Sequence, residues 1–234
     1  PQLGADVIKV EPPGSGDFAR GWGPPFWDGS AAHFVALNRG KRSIVVELNV
    51  PEQRDALEKL IVREADAVVF NLRPGMAKER GLGPEKLLAQ KPSLVYCDIG
   101  AFGRGGPLED KPGYDPLMQA YGGLMSITGE DETRPPIRVP VAMTDMGAGL
   151  WAAVGILSSL LERAETGKGG MVETSLFETA LAYETIQIAS VTIEPRQLKP
   201  QGSGAVGIVP YQAFRASDGW IGIGAGNVGL FAKL

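Results

Sequence analysis

The sequence predicts an α/β fold, with an open parallel sheet of Rossmann-like type over residues 1–200 and the start of a smaller α+β domain over 201–234. Three observations support this prediction. Short β-branched runs alternate with helical segments through the first hundred residues, which is typical of parallel strands joined by helical crossovers. The runs at 66–71 and 93–100 are apolar on successive residues, as expected where helices cover both faces of a sheet. After about residue 205 the pattern becomes that of a hairpin.

The first half of the chain supplies the strands and helices of the predicted sheet. Strands are predicted at 5–10, 43–48, 66–71 and 93–100, and helices at 51–64, 74–80 and 84–90. Each of these helices opens on a proline, which the first turn tolerates because the N–H that proline lacks has no partner there. In the first helix Leu57, Leu60 and Ile61 recur at helical spacing. Residues 14–40, rich in Gly, Pro and Trp, are predicted to form a long surface excursion.

The second half is dominated by one long predicted helix, 145–163. Its apolar residues recur at spacings of four, four, three and four positions and form one continuous stripe. They are Met146, Leu150, Val154, Leu157 and Leu161. Helices are also predicted at 114–123 and 176–191, and a short strand at 171–174. An Asp-Gly turn at 218–219 is predicted to join the strands 209–215 and 220–224 into a hairpin.

Composition and charge exclude several classes of protein. The formal net charge is −4 and the sequence pI about 5.2, so no positive surface for nucleic acid is expected. No membrane span is expected either, because Glu162 and Arg163 interrupt the longest apolar run. The single cysteine, Cys97, excludes an intrachain disulfide framework and fits a reducing compartment. The single histidine, His33, excludes a multi-histidine zinc site, and no metal is expected.

The two termini suggest a piece of a longer protein. The chain begins with Pro rather than Met, shortly before a strand-like run, and residues 231–234 have the pattern of a beginning helix. We therefore expect segments at both ends to be missing.

Two stretches, 202–207 and 224–229, match the G-x-G-x-x-G pattern of dinucleotide-binding loops. That loop needs a strand before it and a helix after it, within a parallel βαβ unit. The first stretch follows a Pro-rich linker and leads into a strand, which is the wrong order. The second follows a strand, but that strand belongs to the predicted hairpin. The pattern therefore favours a nucleotide loop at neither stretch.

Asp145, at the start of the long helix, is the best candidate for a reactive carboxylate. One interpretation is structural, because Asp is a common N-cap whose side chain accepts a backbone N–H. The other is functional, because a helix N-terminus stabilises negative charge and keeps a carboxylate ionised. Gly147 and Gly149 cost helix stability in the same region, which makes sense if a bulky ligand lies against the helix end. The residues alone leave both interpretations open.

Basic residues follow the predicted strands at the edge where open parallel sheets bind ligands. The loop 71–75, Asn-Leu-Arg-Pro-Gly, contains Arg73, and Lys78 and Arg80 follow on the next helix. Such residues suit a phosphorylated ligand, although a solvated rim of charge gives the same pattern. Cys97 is interpreted as a core residue and His33 as a structural one.

Six segments resemble the family III CoA-transferases, the CaiB/BaiF family, in family order and over nearly the whole chain. They are LGADVIKVEPPGSGD (3–17), LNRGKRSIVVEL (37–48), NLRPG (71–75), PGYDPLMQAYGGLMSITG (112–129), VAMTDMGAGLWAAVGILSSLLER (141–163) and VPYQAFRASDG (209–219). The family includes formyl-CoA transferase and succinyl-CoA:dicarboxylate CoA-transferases. The resemblance implies an enzyme that moves CoA from an acyl-CoA donor to a small carboxylic acid, with CoA as substrate and no permanently bound cofactor.

The resemblance also implies roles for individual residues. Asp145 takes the position of the family's nucleophile, which forms aspartyl anhydride and aspartyl-CoA intermediates. The family's substrate loop, which closes over the intermediate, corresponds to 202–207, with Gly202, Gly204 and Gly207. The segments that hold CoA correspond to Leu48, Asn49, Asn71, Leu72, Arg73, Arg80, Gly113, Tyr114 and Asp115. The chain departs from formyl-CoA transferase at Glu79 and Pro12, where arginines bind CoA in that enzyme.

One position separates the transferases from the α-methylacyl-CoA racemases, which the chain also resembles. The racemases have a His before the Asp of the 113–115 block, and this chain has Tyr114. A two-base racemase needs a second titratable group of suitable pKa, so Tyr114 favours the transferase. A racemase-like isomerase and a CoA-binding fragment without catalysis stay as alternatives.

The resemblance further implies an interlocked homodimer. We expect a cytoplasmic location, or the mitochondrial matrix in a eukaryote.

Overall fold

A computed structural model describes residues 1–234. The strands are β1 (Ile8–Glu11), β2 (Phe26–Trp27), β3 (Ser30–Ala31), β4 (Arg42–Val45), β5 (Ala67–Phe70), β6 (Val95–Gly100), β7 (Met171–Ser175), β8 (Tyr211–Arg215) and β9 (Trp220–Gly224). The α-helices are α1 (Ala32–Leu37), α2 (Pro51–Glu64), α3 (Met76–Glu79), α4 (Pro84–Gln90), α5 (Asp115–Gly122), α6 (Leu124–Ile127), α7 (Met143–Thr166), α8 (Leu176–Tyr183), α9 (Thr185–Ile193) and α10 (Val228–Phe231), with a short 3-10 helix at Phe18–Gly21.

The strands confirm the predicted α/β class with parallel pairing. β5, β6 and β7 form a parallel three-stranded sheet, in which Val69 pairs with Cys97 and Ile99 with Thr174. β1 pairs in parallel with β4 in a separate two-stranded sheet, so the strands do not form one continuous sheet. β8 and β9 form the predicted antiparallel hairpin, and β2 and β3 form a small one that the sequence pattern did not reveal.

One hydrophobic core lies between the helices α2 and α4 and the strands they cover. It is built from Leu57, Ile61, Leu82, Leu87, Leu94 and Tyr96. The Tyr96 hydroxyl donates to the Leu82 carbonyl at 3.2 Å, so this buried tyrosine has its polar end satisfied. Val45 and Val69 are more than half exposed. The expectation of helices over both faces holds for β6, where Val95, Tyr96 and Cys97 are fully buried, but not for β5, which keeps Val69 exposed.

A second core joins α5, α7 and α8 through Met118, Ala148 and Leu176. α7 approaches its neighbours with small residues, since a Cβ at Gly155 would lie 2.5 Å from the Val172 side chain of β7. Its large apolar stripe, predicted from the sequence, points outward instead, and Leu150 and Leu161 are 67% and 73% exposed. The stripe exists, but the face that α7 buries against this chain is the small-residue face.

α7 is also long and apolar enough, by length and composition alone, to cross a membrane. The expectation that Glu162 and Arg163 would prevent this is wrong, because both lie near the C-terminal end of the helix and leave a long apolar stretch before them. A single helix of this kind is weak support for a membrane span, since core helices of soluble proteins satisfy the same criteria.

The predicted helix 176–191 is two helices, α8 and α9, which meet at Glu184. Glu184 is buried with one carboxylate oxygen unpartnered, and burial raises its pKa. The helices α1 and α6 were not predicted; each has at most six residues, too few for a clear periodicity. A beginning helix was expected at 231–234, and α10 lies at Val228–Phe231.

The Gly- and Pro-rich segment after β1 is held in place by Glu11. The carboxylate of Glu11, only 3% exposed, accepts hydrogen bonds from Arg20 at 2.7 and 2.8 Å and from the Ser43 hydroxyl at 2.6 Å. It also accepts from the Asp17 N–H at 3.0 Å. The Arg20 guanidinium in turn lies 4.1 Å from the centre of the Phe34 ring. This network fixes residues 12–31 against β1 and α1.

Candidate active site

The first turn of α7 is capped by a side chain from another helix. Asp115, the first residue of α5, accepts from the Thr144 N–H at 2.8 Å and from the Thr144 hydroxyl at 2.7 Å. The residue at the N-cap position, Ala142, makes no side-chain cap. The structural interpretation of Asp145 as an N-cap is therefore wrong, because Asp115 supplies the cap.

Because Asp115 caps the helix, the Asp145 side chain is left without a structural role in capping. Its residue is exposed, and neither its carboxylate nor its N–H has a hydrogen-bond partner in the protein. The other N–H groups of the first turn do have partners, since Met143 donates to Val141 and Met146 donates to Ala142. Although the side chain is exposed, the surrounding protein removes part of the water around its carboxyl and so raises the pKa of Asp145, and the nearby charge of Asp115 raises it further. This direction is opposite to the lower pKa that the helix N-terminus was expected to give.

The two glycines of this turn have different surroundings. A Cβ at Gly147 would lie 2.2 Å from the Tyr183 hydroxyl and 2.5 Å from the Thr179 methyl group, so Gly147 is needed for the packing of α7 against α8. The expectation that Gly147 makes room for a ligand is wrong. A Cβ at Gly149 would meet no atom within 4 Å, so Gly149 alone presents open backbone on the exposed side.

The two glycines give a matched pair of alanine variants with opposite expected effects. Gly147→Ala should lower the free energy of unfolding by about 1–3 kcal/mol, because the new methyl group has no space. Gly149→Ala should raise it by about 0.5–1 kcal/mol, because alanine has the higher helix propensity and meets no obstacle. Urea unfolding of both variants measures this. Equal effects of the two substitutions would contradict the assignment.

The loops at the carboxyl ends of β5, β6 and β7 are tied together. The Asn71 amide, directly after β5, donates to the Ile99 carbonyl of β6 at 2.9 Å. Arg104 binds Asp98 of β6 and Glu173 of β7. The structure therefore assembles three of the strand ends at one edge, as expected for a parallel sheet.

The basic residues of this edge are not all free. Arg73 makes a two-pronged ion pair with Glu79, at 3.2 and 2.5 Å, and Leu72 beside it is half-buried. Gly75, with φ of +78°, turns the chain into α3, and Arg80 directly follows α3 as its C-cap residue. Arg73 and Glu79 are both about half exposed, so the pair is accessible to a ligand.

The other residues implied by the resemblance lie in three places. Leu48 packs at the side of the first core, and Asn49 next to it is exposed. Gly113 is a close-packed glycine, since a Cβ there would lie 2.8 Å from Met118 and 2.9 Å from Ala101. Tyr114 is 68% exposed, whereas Asp115 is buried. The block 113–115 thus presents Tyr114 outward and Asp115 to the start of α7.

The glycine loop 202–207 is anchored at its start. The Gly202 N–H donates to the Gly129 carbonyl at 2.8 Å, and the Gly204 N–H to the Gln201 carbonyl at 3.0 Å. Gly207 has φ of +76°, a conformation that favours glycine. The loop is therefore attached to the segment that follows α6, while Val206 near its end is exposed.

Cys97 and His33, the other two residues considered from the sequence, are packed against neighbouring residues. Cys97 is buried in β6, and burial raises the pKa of its thiol to about 11. The His33 ring stacks on Trp22 with 5.7 Å between ring centres. No group of three or more His, Cys, Asp or Glu side chains is placed to hold a metal ion.

Sequence reasoning did not single out Gln119 and Thr144, which complete the cap of α7. Gln119 donates to Asp115 at 2.7 Å, and its amide oxygen accepts from the Val139 N–H at 2.8 Å. The available signal was the spacing of four residues between Asp115 and Gln119, which places both on one face of a helix. The contact with Thr144 spans 29 residues and leaves no local pattern.

Comparison with known proteins identifies the family of the chain. The protein-family model described as CoA-transferase family III matches residues 1–234. The chain is 41% identical over 230 residues to a mouse succinyl-CoA:glutarate CoA-transferase, covering 98% of this chain and 52% of that protein. It is 39% identical to a succinate–glutarate CoA-transferase of Agrobacterium fabrum, covering 99% of this chain and 59% of the relative.

A solved structure of a CaiB/BaiF family protein from Brucella suis superimposes with a TM-score of 0.88 at 42% identity. That match covers 99% of this chain and 61% of the other. The fold is thus that of a known class of α/β proteins. The chain belongs to the family III CoA-transferases, and it spans a little more than half the length of the mouse and Agrobacterium relatives.

Proposed function

We propose that the protein containing this chain transfers CoA from an acyl-CoA to a small dicarboxylic acid, with Asp145 as the covalent nucleophile. The observation that carries the proposal is the uncommitted carboxylate of Asp145 at an exposed helix start, whose capping role is filled by Asp115. The relatives named for succinyl-CoA, glutarate and related acids support succinyl-CoA as donor and a dicarboxylate as acceptor.

In the first half of the reaction Asp145 takes the acyl group and then CoA. An Asp145 oxygen attacks the thioester carbonyl, the new C–O bond forms, the C–S bond breaks and CoA leaves as thiolate. The thiolate then attacks the Asp145 carbonyl of this mixed anhydride and releases the donor acid as carboxylate. The product is an aspartyl-CoA thioester, so the energy of the thioester is kept on the enzyme.

The second half is the same chemistry in reverse with a different acid. The acceptor carboxylate attacks the aspartyl-CoA carbonyl, a second mixed anhydride forms, and CoA thiolate leaves again. The thiolate attacks the acceptor's carbonyl carbon, which gives the new acyl-CoA and restores the Asp145 carboxylate. Every step exchanges one acyl bond for another, and no proton, oxidant or metal is consumed.

Each attack creates an oxyanion that needs hydrogen-bond donors. The free N–H of Asp145 is one such donor at the start of α7. The glycine loop 202–207 offers further N–H groups and suits a lid, because water would hydrolyse the anhydride and the thioester. The anchor at Gly129 fixes one end of this loop and leaves the segment near Val206 exposed.

The acyl-CoA is proposed to lie along the edge formed by Asn71, Leu72 and Arg73, near Leu48, Asn49 and Arg80 and beside Gly113 and Tyr114. Arg73 would meet a phosphate, but Glu79 holds its guanidinium and adds a negative charge.

Glu79→Gln should therefore lower the KM for acyl-CoA by about two- to fivefold, the range of an exposed ion pair. Steady-state kinetics measure this, with Glu64→Gln as control because Glu64 pairs with Arg63 at an exposed site. A KM unchanged or raised by Glu79→Gln would contradict the role of Arg73.

The experiment that tests the function is a transfer assay with a panel of acids. The full-length protein is mixed with succinyl-CoA and glutarate, oxalate, citramalate or mesaconate, and new acyl-CoA is followed by mass spectrometry. We expect transfer to at least one dicarboxylate. Deuterium exchange at the α-carbon of a branched acyl-CoA, without transfer, would instead support the racemase-like alternative, and neither activity would support a CoA-binding role without catalysis.

We also propose that the full-length protein is a homodimer. The outward stripe of α7, from Met146 to Leu161, is apolar surface of the kind that interfaces cover. Sedimentation of the full-length protein should give twice the monomer mass, and a monomer at micromolar concentration would contradict this proposal.

A further inference from the structure

A buried polar cluster joins α5 to the start of α7. Asp115 and Gln119 are 3% and 0% exposed, and Thr144 is fully buried. Gln119 donates to Asp115 at 2.7 Å and to the Val139 carbonyl at 3.2 Å, while its oxygen accepts from the Val139 N–H at 2.8 Å. One glutamine amide thus holds both the Asp115 carboxylate and the segment that leads into α7.

Capping alone does not require such a cluster. A Ser or Asp at position 142 could cap the helix from the surface, where its side chain would stay hydrated. Burying an ionised carboxylate is costly unless its hydrogen bonds are satisfied, and Asp115 is satisfied by Thr144 and Gln119. The buried arrangement differs from a surface cap because it fixes the direction of the turn that carries Asp145.

We propose that Asp115, held by Gln119, is a positioning residue for the nucleophile: it orients the first turn of α7 through Thr144 and leaves the carboxylate and N–H of Asp145 free for the reaction. This inference rests on the proposed role of Asp145. It assigns Asp115 to the nucleophile rather than to direct contact with CoA, while the neighbouring Tyr114 stays at the surface.

The charge of Asp115 has a second effect on Asp145. Charged or titratable groups on the surrounding elements are Asp115 on α5, Arg138 in the segment before α7, and Tyr183 and Glu184 at the end of α8. Of these, Asp115 is the one whose charge raises the pKa of Asp145, in addition to the effect of burial. This effect gives a readout of the placement of Asp115, since removing its charge should lower the pKa of Asp145.

Asp115→Asn in the full-length protein tests both effects. The variant keeps the side-chain volume but removes the charge. Its amide N–H₂ group faces the N–H₂ group of Gln119, so two donors meet where Asp115 accepted a hydrogen bond. We expect kcat to fall by about 10- to 100-fold through misplacement of Asp145, with the KM for acyl-CoA unchanged within about twofold. In ¹³C NMR of protein labelled at the Asp carboxyl carbons, the Asp145 signal should titrate at lower pH than in the wild type. The spectrum of Asp145→Asn identifies that signal.

Asp66→Asn is the matched control, because Asp66 contacts the same helix through Arg163 at its far end. It should change neither kcat nor the Asp145 titration. A lower kcat at an unchanged KM in Asp115→Asn supports the positioning role, and a kcat equal to that of the wild type would overturn it. If Asp115→Asn does not fold, the variants Thr144→Val and Thr144→Ser replace it, because only the second keeps a hydroxyl that can donate to Asp115. A lower kcat in Thr144→Val and a wild-type kcat in Thr144→Ser would support the proposal. Equal activity of the two variants would overturn it.

The outcomes separate this inference from the proposed function. Wild-type protein without CoA transfer would refute the function itself. Active wild type, inactive Asp145→Asn and unaffected Asp115→Asn would refute only the positioning role of Asp115.

Discussion

Replacing Asp145 by Asn is expected to reduce CoA transfer by about 10³-fold or more while the protein folds normally. The amide keeps the size of the side chain, but it cannot attack a thioester carbonyl to form the anhydride. Stability should hardly change, because the Asp145 carboxylate makes no hydrogen bond that the substitution would remove. Single-turnover transfer from succinyl-CoA to the best acceptor measures the rate, and a thermal melt measures stability.

The control for this prediction is Asp131→Asn, because Asp131 is exposed and its hydrogen bonds stay within its own turn, to Thr133. It should transfer CoA at the wild-type rate. If Asp145→Asn keeps near-normal transfer, Asp145 is not the nucleophile.

The largest effect on stability is expected for Glu11→Gln, with a loss of about 3 kcal/mol in the free energy of unfolding at pH 7. The buried Glu11 carboxylate accepts two hydrogen bonds from Arg20 and one from Ser43, and the substitution leaves the Arg20 charge without its partner. Urea unfolding measures the loss. Glu64→Gln, at an exposed ion pair, should change the free energy of unfolding by less than about 1 kcal/mol.

The contribution of Glu11 depends on pH in a defined direction. Hydrogen bonds from Arg20 are the main reason that its pKa falls from 4.5 to about 2 in the folded protein. A depressed pKa stabilises the fold fully above 4.5, and the stabilisation is lost as the pH falls toward about 2. The difference between wild type and Glu11→Gln should therefore shrink by more than half between pH 7 and pH 3. A difference independent of pH would contradict the ionised pair.

The sequence predicted most of the regular elements, because their signals are local. α2 and α4 begin and end at the predicted residues, since Pro51 and Pro84 mark their starts and the apolar spacing marks their length. The outward face of α7 was not predictable in the same way. The stripe of large residues resembles a core face, and only the contacts of Gly147 and Gly155 with α8 and β7 show which side is buried.

The sequence pointed to a candidate residue for the site but not to the contacts that support it. Asp145 stands out by its place at the start of a long helix and by the family resemblance. Its two local interpretations could be separated only by Asp115, which lies 29 residues before the Thr144 that it caps. Likewise, the pairing of Arg73 with Glu79 depends on the turn at Gly75, whereas the sequence shows only their charges.

Acylation of Asp145 is the step on which the proposed transfer depends, and hydroxylamine trapping tests it most directly. Full-length protein is incubated with succinyl-CoA and hydroxylamine, which converts an activated carboxyl to a hydroxamate, and the peptides are then analysed by mass spectrometry. We predict a hydroxamate at Asp145 that requires acyl-CoA and is absent from Asp145→Asn. A hydroxamate at Asp115 or Asp98 instead, or none during active transfer, would contradict the role of Asp145 as nucleophile.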